Sequence, residues 1–299
     1  MQKIKSKNLI IFFLISLISF FLVSNTILKL FLKNKVKNLL VKAKITLLSK
    51  KYPICRLEKI NKVPTNSIVI IGHSYGSPIS NEKFLSKKVS NFLNENIKSI
   101  NTLIFTGDVF KKPSKYKWNK INEMYGLGSN VVIAPGNHDF GFNNQILKRQ
   151  FDDSLLSKNF PYRIKFENLD VIVEDSTKNN WLFDVEIFKL IKEVDNFKKI
   201  ILVRHHIPVE ELLFLSNSKE GYEGGLPKFS ALNDYFGLEK EKIFIVGDGG
   251  AFSYLPRILC LQNNKLKIIV NGIGDQKNDT IIIIKNENIY SYNLNKYSL

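Results

Sequence analysis

The chain has 299 residues, more than one modal domain but within the range of a single large α/β domain with additions. An apolar fraction of 44 %, rich in Phe, Ile and Leu, supplies a substantial core and excludes wholesale disorder. Lys and Arg outnumber Asp and Glu 44 to 27, and the net charge of +17 favours an anionic partner such as phosphate or an acidic lipid surface. The lysines are scattered, without the Arg-aromatic alternation that reads nucleic acid, so no nucleic-acid partner is expected.

Leu9 to Val23 is uncharged and almost wholly apolar, and the run continues to Leu28, the length a helix needs to cross a bilayer. Lys3, Lys5 and Lys7 precede it, and no small-x-small cleavage site follows, which favours an uncleaved single-span anchor in membrane lipid over a cleaved secretory signal. Lysines crowd both flanks, so the positive-inside rule and the signal-anchor pattern disagree, and the side of the membrane that the body faces stays open. The expected organisation is a tail and transmembrane helix over residues 1–30, a basic juxtamembrane helix or linker over 31–62, and a globular domain over 63–299. Cys55 and Cys260 form neither a metal pattern nor a disulfide framework, and they pair only if the fold brings them together.

From Ser67 onward, strand and helix patterns alternate. Strands are predicted at Ser67–Ile71, Thr102–Phe105, Val131–Ala134, Tyr162–Phe166, Leu169–Glu174, Lys199–Val203 and Ile243–Val246. Helices are predicted at Asn81–Asn94, Trp118–Tyr125, Asn143–Phe151, Phe183–Val194, Val209–Leu215 and Phe229–Leu238. The tail is strand-rich, with Ile258–Leu261, Leu266–Val270, Thr280–Ile284 and Glu287–Tyr292. Alternation implies crossover units on a mostly parallel sheet and the tail implies antiparallel additions, which two packed mixed sheets with helices outside accommodate.

Five of these strands end in polar or glycine-rich punctuation. Ile71 runs into Gly72-His73-Ser74-Tyr75, Phe105 into Thr106-Gly107-Asp108, Ala134 into Pro135-Gly136-Asn137-His138-Asp139, Val203 into Arg204-His205-His206-Ile207-Pro208, and Val246 into Gly247-Asp248-Gly249-Gly250. All four histidines of the chain fall in these loops. Open α/β sheets build their sites at the carboxyl ends of strands, so the loops are expected to converge. An amide oxygen, imidazoles and carboxylates brought to one place make a metal shell or an acid-base pair.

The order of these motifs resembles that of the calcineurin-like metallophosphoesterases, whose pattern runs D-x-H, G-D, G-N-H-D/E, a lone H, and G-H-x-H. Gly107-Asp108 and Gly136 to Asp139 match outright, and the likeness spans about Ser67 to Gly250. It implies an αββα sandwich of two mixed sheets, here behind an amino-terminal transmembrane helix, and a centre holding Mn, Fe or Zn. Carried across, one metal site keeps Asp108, Asn137, His206 or His205, and Asp248 in place of an imidazole. The family ligand usually stands two residues before Pro, which selects His206 and leaves His205 behind it. The other site departs from the pattern: His73-Ser74-Tyr75 replaces D-x-H and Gly250 replaces the last His, leaving His73, Tyr75 and a share of Asp108. Phenolate binds strongly only to a hard, highly charged ion such as Fe(III), so one firm site and one weak or empty site are expected. His138, steered by Asp139, is the expected proton donor to the leaving alkoxide. Arg204 and Arg257 are candidates to hold a substrate phosphate, as are Lys111 and Lys112. The function implied is a membrane-anchored metal-dependent hydrolase of a phosphomonoester or phosphodiester. The rival is a degenerate domain that binds a ligand or partner in envelope polysaccharide or lipid metabolism.

Overall fold

A computed structural model describes residues 52–77, 84–126, 129–140, 144–154, 156–178, 183–208, 241–251, 258–262 and 266–297, together with Thr46 and Lys50. The apolar run at Leu9–Leu28, the basic segment after it, the helices expected at Val209–Leu215 and Phe229–Leu238, and Arg257 lie outside them. Among the described residues no helix is long and apolar enough to cross a membrane.

The described strands form two six-stranded sheets. The first contains β1 (Glu58–Ile60), β2 (Ser67–Ile71), β3 (Ile100–Phe105), β4 (Asn130–Ile133), β11 (Thr280–Lys285) and β12 (Asn288–Asn293), in the order β1-β12-β11-β2-β3-β4. The second contains β5 (Tyr162–Lys165), β6 (Leu169–Val173), β7 (Lys199–Arg204), β8 (Lys242–Val246), β9 (Ile258–Gln262) and β10 (Leu266–Asn271), in the order β5-β6-β7-β8-β10-β9. The centres are parallel (β2-β3-β4 and β6-β7-β8-β10), and β5, β9, β11 and β12 supply the antiparallel pairs, as the alternating body and strand-rich tail implied.

Side-chain alternation in the central strands explains why two sheets pack. In β2, Ile68 and Ile70 join Ile104, Val171, Val203, Ile245 and Ile282 in the core between the sheets. Val69 and Ile71 point to the other face and pack with Phe92, Leu103, Phe105, Trp118 and Phe151 under the helices. A strand buried on both faces reads as an unbroken branched aliphatic run, which is what Ser67–Ile71 is. Helices α1 (Lys87–Asn96), α2 (Lys115–Tyr125) and α3 (Gln145–Asp152) cover the first sheet, and α4 (Glu186–Lys192) contacts β5 and β6 of the second. The side chains of Ser114 and Asn144 cap α2 and α3 by accepting first-turn N–H groups, which starts each helix directly after a loop.

The start of the globular part is earlier than residue 63. Ile54 bridges Leu261 in antiparallel fashion, Cys55 N donates to Cys260 O at 2.9 Å, Gln262 N donates to Pro53 O at 2.8 Å, and Cys55 and Cys260 form a disulfide across a separation of 205 residues. A few residues later β1 pairs in parallel with β12. One segment therefore lines the outer edge of both sheets, and the compact unit extends from Leu48 to Leu299. Sequence patterning missed β1 because three residues on an edge carry too little periodicity.

The disulfide closes nearly the whole domain into one loop, so Cys55→Ser should lower unfolding stability by about 2–5 kcal/mol. Denaturant titration of the oxidised full chain measures this, and dithiothreitol should give wild type the variant's midpoint. Equal midpoints for oxidised wild type and variant would remove the disulfide from any stabilising role.

Candidate metal centre

The five punctuated strand ends do converge. β2, β3 and β4 lie side by side in the first sheet and β7 and β8 in the second, and backbone hydrogen bonds knit their exits together. Thr106 N donates to Ile71 O at 2.9 Å, His73 N to Gly107 O at 3.0 Å, Ala134 N to Phe105 O at 2.8 Å, and Asp248 N to His205 O at 3.1 Å. Glycine is required where the loops approach most closely. Gly107 has φ +77°, and a Cβ there would stand 2.5 Å from the His205 ring. His73 and Asp108 also adopt left-handed backbone, with φ 52° and 53°, a strained conformation held by these loop contacts.

His205 sits deepest. Its Nδ1 lies 2.9 Å from Thr106 O, and since a carbonyl only accepts, Nδ1 carries the proton. Its Nε2 lies 3.4 Å from Asp108 Oδ1 and 3.7 Å from Asp248 Oδ1, fully buried and with no hydrogen-bond partner. Burial works to lower the pKa of this imidazole, but Asp108 and then Asp248 override it and push it up to about 10. Reciprocally, burial works to raise the Asp108 carboxyl while His205, followed by His73, holds it well below the usual carboxylate range.

His206 approaches the centre from the Asn137 side. Its Nε2 is 3.0 Å from Asn137 Oδ1 and its Nδ1 3.1 Å from Ser176 Oγ, and burial, then His205 and Arg204, lower its pKa to about 2. One nitrogen of each of these two histidines and an oxygen of Asp248 fall within 4.8 Å of one another. Both histidines therefore stand among the possible ligands: His206, selected from the sequence, faces Asn137, and His205, expected behind it, has a buried Nε2 between the two carboxylates. Counting back from Pro208 could not show this, because neighbouring side chains at a strand end take opposite directions.

On the other side of Asp108, His73 Nδ1 is 3.1 Å from Ile273 O, and its Nε2 lies 3.6 Å from Asp108 Oδ2, again without a hydrogen-bond partner. Burial lowers its pKa to about 4, so the ring is neutral. Tyr75 is buried, with its ring 4.3 Å from that of His73 and 5.5 Å from that of His138. Burial, followed by Asp108, Asp248 and Asp139, raises the phenol far above its ordinary value, so Tyr75 is a protonated phenol in the metal-free protein. Gly250, within the 3₁₀ turn Asp248–Ala251, has no side chain to offer.

Three expected roles take a different form. Asp139 accepts the backbone N–H groups of Asp108 at 2.8 Å, Val109 at 2.9 Å and Gly136 at 2.9 Å, occupying both carboxylate oxygens. It clamps two loops together, in place of the expected steering of His138, and burial with Asp108 nearby raises its pKa to about 7. His138 is half-buried and donates its backbone N–H to Asp108 Oδ1 at 3.0 Å. Arg204, expected to meet substrate phosphate, is fully buried, with Nη1 3.2 Å from Glu174 Oε2 and the guanidinium 4.5 Å from the centre of the Phe183 ring. It is an internal ion pair whose partner comes from the end of the neighbouring strand, a pairing invisible in the linear sequence.

Sequence reasoning also missed Ser176. The end of β6 is followed by Glu174-Asp175-Ser176, a sixth polar strand exit beside β7, and that punctuation was the available signal.

The donor set fits a metal ion. Asp108, His205, His206, Asp248 and the Asn137 amide offer carboxylate, imidazole and amide oxygen, the mixture that suits Mn, Fe or Zn, and two buried imidazole nitrogens, on His73 and His205, lack hydrogen-bond partners.

Comparison with known proteins agrees. The family model described as calcineurin-like phosphoesterase matches residues 73–272. No curated protein sequence matches. Among solved structures, a single mutant of Vps29 from Entamoeba histolytica is 12% identical over 78% of this chain and 94% of its own, with a TM-score of 0.37. The phosphopantetheinyl hydrolase of Mycobacterium tuberculosis is 10% identical over 71% of this chain and 91% of its own, with a TM-score of 0.36. Vps29 from Cryptosporidium parvum is 11% identical over 76% and 95%, with a TM-score of 0.32. On the family match, which covers most of the chain and every loop of the centre, this protein belongs to the calcineurin-like phosphoesterase family.

Proposed function

We propose that this chain is a membrane-anchored, metal-dependent phosphoesterase that hydrolyses a phosphomonoester or phosphodiester at one principal ion site. The observation that carries the reading is the buried, unpartnered His205 Nε2 between Asp108 Oδ1 and Asp248 Oδ1. Asp108, Asn137, Asp248 and the histidine pair His205 and His206 would hold the ion, while His73, Tyr75 and the second oxygen of Asp108 mark a second position that is weak or empty. A divalent ion bound there polarises the phosphoryl group and lowers the pKa of water near it.

The chain's own residues supply the rest. His138, half-buried at the mouth beside Asn137, donates a proton to the departing alkoxide. The Asp139 clamp fixes the backbone that carries it, with the Gly136 N–H and Asp108 N–H meeting the same carboxylate oxygen. His73 and Tyr75 close the floor and keep bulk water from Asp108.

The apolar run at Leu9–Leu28 supports an anchor in membrane lipid, and the Cys55–Cys260 disulfide supports a body on the oxidising side of that membrane. The rival reading, a domain that binds a phosphate-bearing ligand without turnover, is favoured by one observation: the second ion position has a glycine and a protonated phenol where ligands would stand.

Two measurements on the purified full chain separate these readings. Elemental analysis after loading with Mn, Fe or Zn should find about one ion per chain, and His205→Ala should abolish uptake, as expected where an imidazole faces two carboxylates. His138→Ala should keep the ion and lower kcat toward generic phosphoesters by about 10²–10⁴-fold. Metal bound without turnover on any ester would replace the hydrolase with the binding domain, and absence of metal uptake would remove both.

A further inference from the structure

The ladder between β2 and β11 stops short at the mouth. Its register pairs Ile70 with Ile282 and, continued, would set Gly72 opposite Thr280. Thr106 N donates to Ile71 O on the β3 side, so Gly72 turns its own N–H and C=O toward β11, as alternation along a strand requires. Both groups are instead taken by the exit of β10, from the second sheet. Gly72 N donates to Asn271 Oδ1 at 3.1 Å, and Gly72 O accepts Ile273 N at 3.0 Å. Asn271 Nδ2 donates to Thr280 O.

One carboxamide therefore stands where a direct rung between Gly72 and Thr280 would be. It offers an acceptor and a donor, as a peptide group does, and Asn271 is fully buried, so water does not compete for either. The side chain keeps the two strands apart at this point, and the β2 exit leans on the second sheet. A Cβ on Gly72 would stand 2.5 Å from Gly247 Cα, Gly247 leads directly into Asp248, and His73 Nδ1 lies 3.1 Å from Ile273 O. Farther along the same loop, Asp275 accepts Ser77 N at 2.6 Å and Ser86 Oγ at 2.5 Å, which fastens it to the chain after β2 a second time.

Resting on the metal reading above, we propose that Asn271 is a positioning residue for the metal centre: its carboxamide splits β2 from β11 at the mouth and hands the β2 exit to the second sheet, which seats Gly72 on Gly247 and holds His73 and Asp248 around Asp108. Removing the amide lets Gly72 and Thr280 pair directly. The ladder then closes by one rung, both backbone groups stay satisfied, and the β2 exit moves away from Gly247. Groups that aim ligands without touching the ion are worth about 10–100-fold in metal affinity.

The test is zinc affinity by chelator competition on the folded full chain, read beside urea unfolding. Asn271→Ala should weaken zinc binding by about 10–100-fold. Asn271→Ser, whose hydroxyl reaches one of the two backbone groups at a time, should fall between that variant and wild type. Asp170→Asn is the control, because it breaks the buried contacts with Arg163 and Lys198 at the far end of β6: it should lower the unfolding midpoint and leave zinc affinity unchanged. In the ¹⁵N-labelled wild-type chain an NOE should link the Asn271 side-chain amide to the Gly72 amide proton, and Asn271→Ala should replace it with a direct amide–amide NOE between Gly72 and Thr280. Wild-type zinc affinity in Asn271→Ala, or an equal loss in Asp170→Asn, overturns this inference and leaves the metal reading standing; a wild-type chain that takes up no zinc overturns both. Should Asn271→Ala fail to fold, Asn271→Ser and the wild-type NOEs decide, and a direct Gly72–Thr280 amide contact in wild type overturns the inference.

Discussion

Two carboxylates and an imidazole are forced together at the centre of this protein: the Nε2 of His205 and one oxygen each from Asp108 and Asp248, the nearest two pairs separated by 3.4 and 3.7 Å. Thr106 O fixes Nδ1 of His205 as a donor and turns Nε2 toward the carboxylates, and Asp108 and His205 are almost fully buried. Buried carboxylates without a compensating positive charge cost several kcal/mol each, so the arrangement persists only with a cation among them. In the metal-free protein a proton on His205 fills that role, which is why its pKa rises to about 10 against burial. Proton and metal ion thus compete for one place.

The rest of the fold can be understood as what holds those acceptors against their repulsion. Parallel pairing of β2 with β3 and β4, and of β7 with β8, brings the carboxyl ends of five strands to one side of two packed sheets. Asp139 ties the third loop to the second through the Asp108 and Val109 N–H groups while also accepting from Gly136 in its own loop, and Asp248 N bonds to His205 O between β7 and β8. Left-handed backbone at His73, Gly107 and Asp108 is concentrated at the same spot, strain that the two cores on either side of β2 offset.

Much of this was legible in the sequence, for identifiable reasons. Central strands buried on both faces appear as branched aliphatic runs, and their abrupt stops in Gly, His, Asn and Asp mark the loops of the centre. What the sequence withholds is the partner of each polar group across the fold. Nothing next to His205 or His206 in the chain distinguishes them; the distinction comes from Thr106, on the other sheet, and from Ser176, on a neighbouring strand exit. Arg204 looks available beside a site loop until Glu174 and Phe183 are seen around it. The expected boundary near residue 63 fails similarly, because the disulfide and β1 join that segment to strands more than two hundred residues away.

Burial also gives the centre a direction. Asp108, His205, His73 and Tyr75 are all within 2 % exposure, whereas Asp248 reaches 16% and Asn137 and His138 are half-buried. An ion held by these residues would lie toward the floor, with its anionic ligands screened from water, and under the proposed function the groups that would meet a phosphoester lie toward the mouth. A floor built from a neutral imidazole and a protonated phenol contributes no negative charge of its own, so it repels an incoming phosphate less than a floor of carboxylates would. The same residues that would weaken a second ion position would thus make the pocket less hostile to an anion approaching the first. His138 stands on the mouth side with its backbone tied to Asp108, and under the proposed function that is the side from which a leaving alkoxide would depart toward solvent and take up its proton.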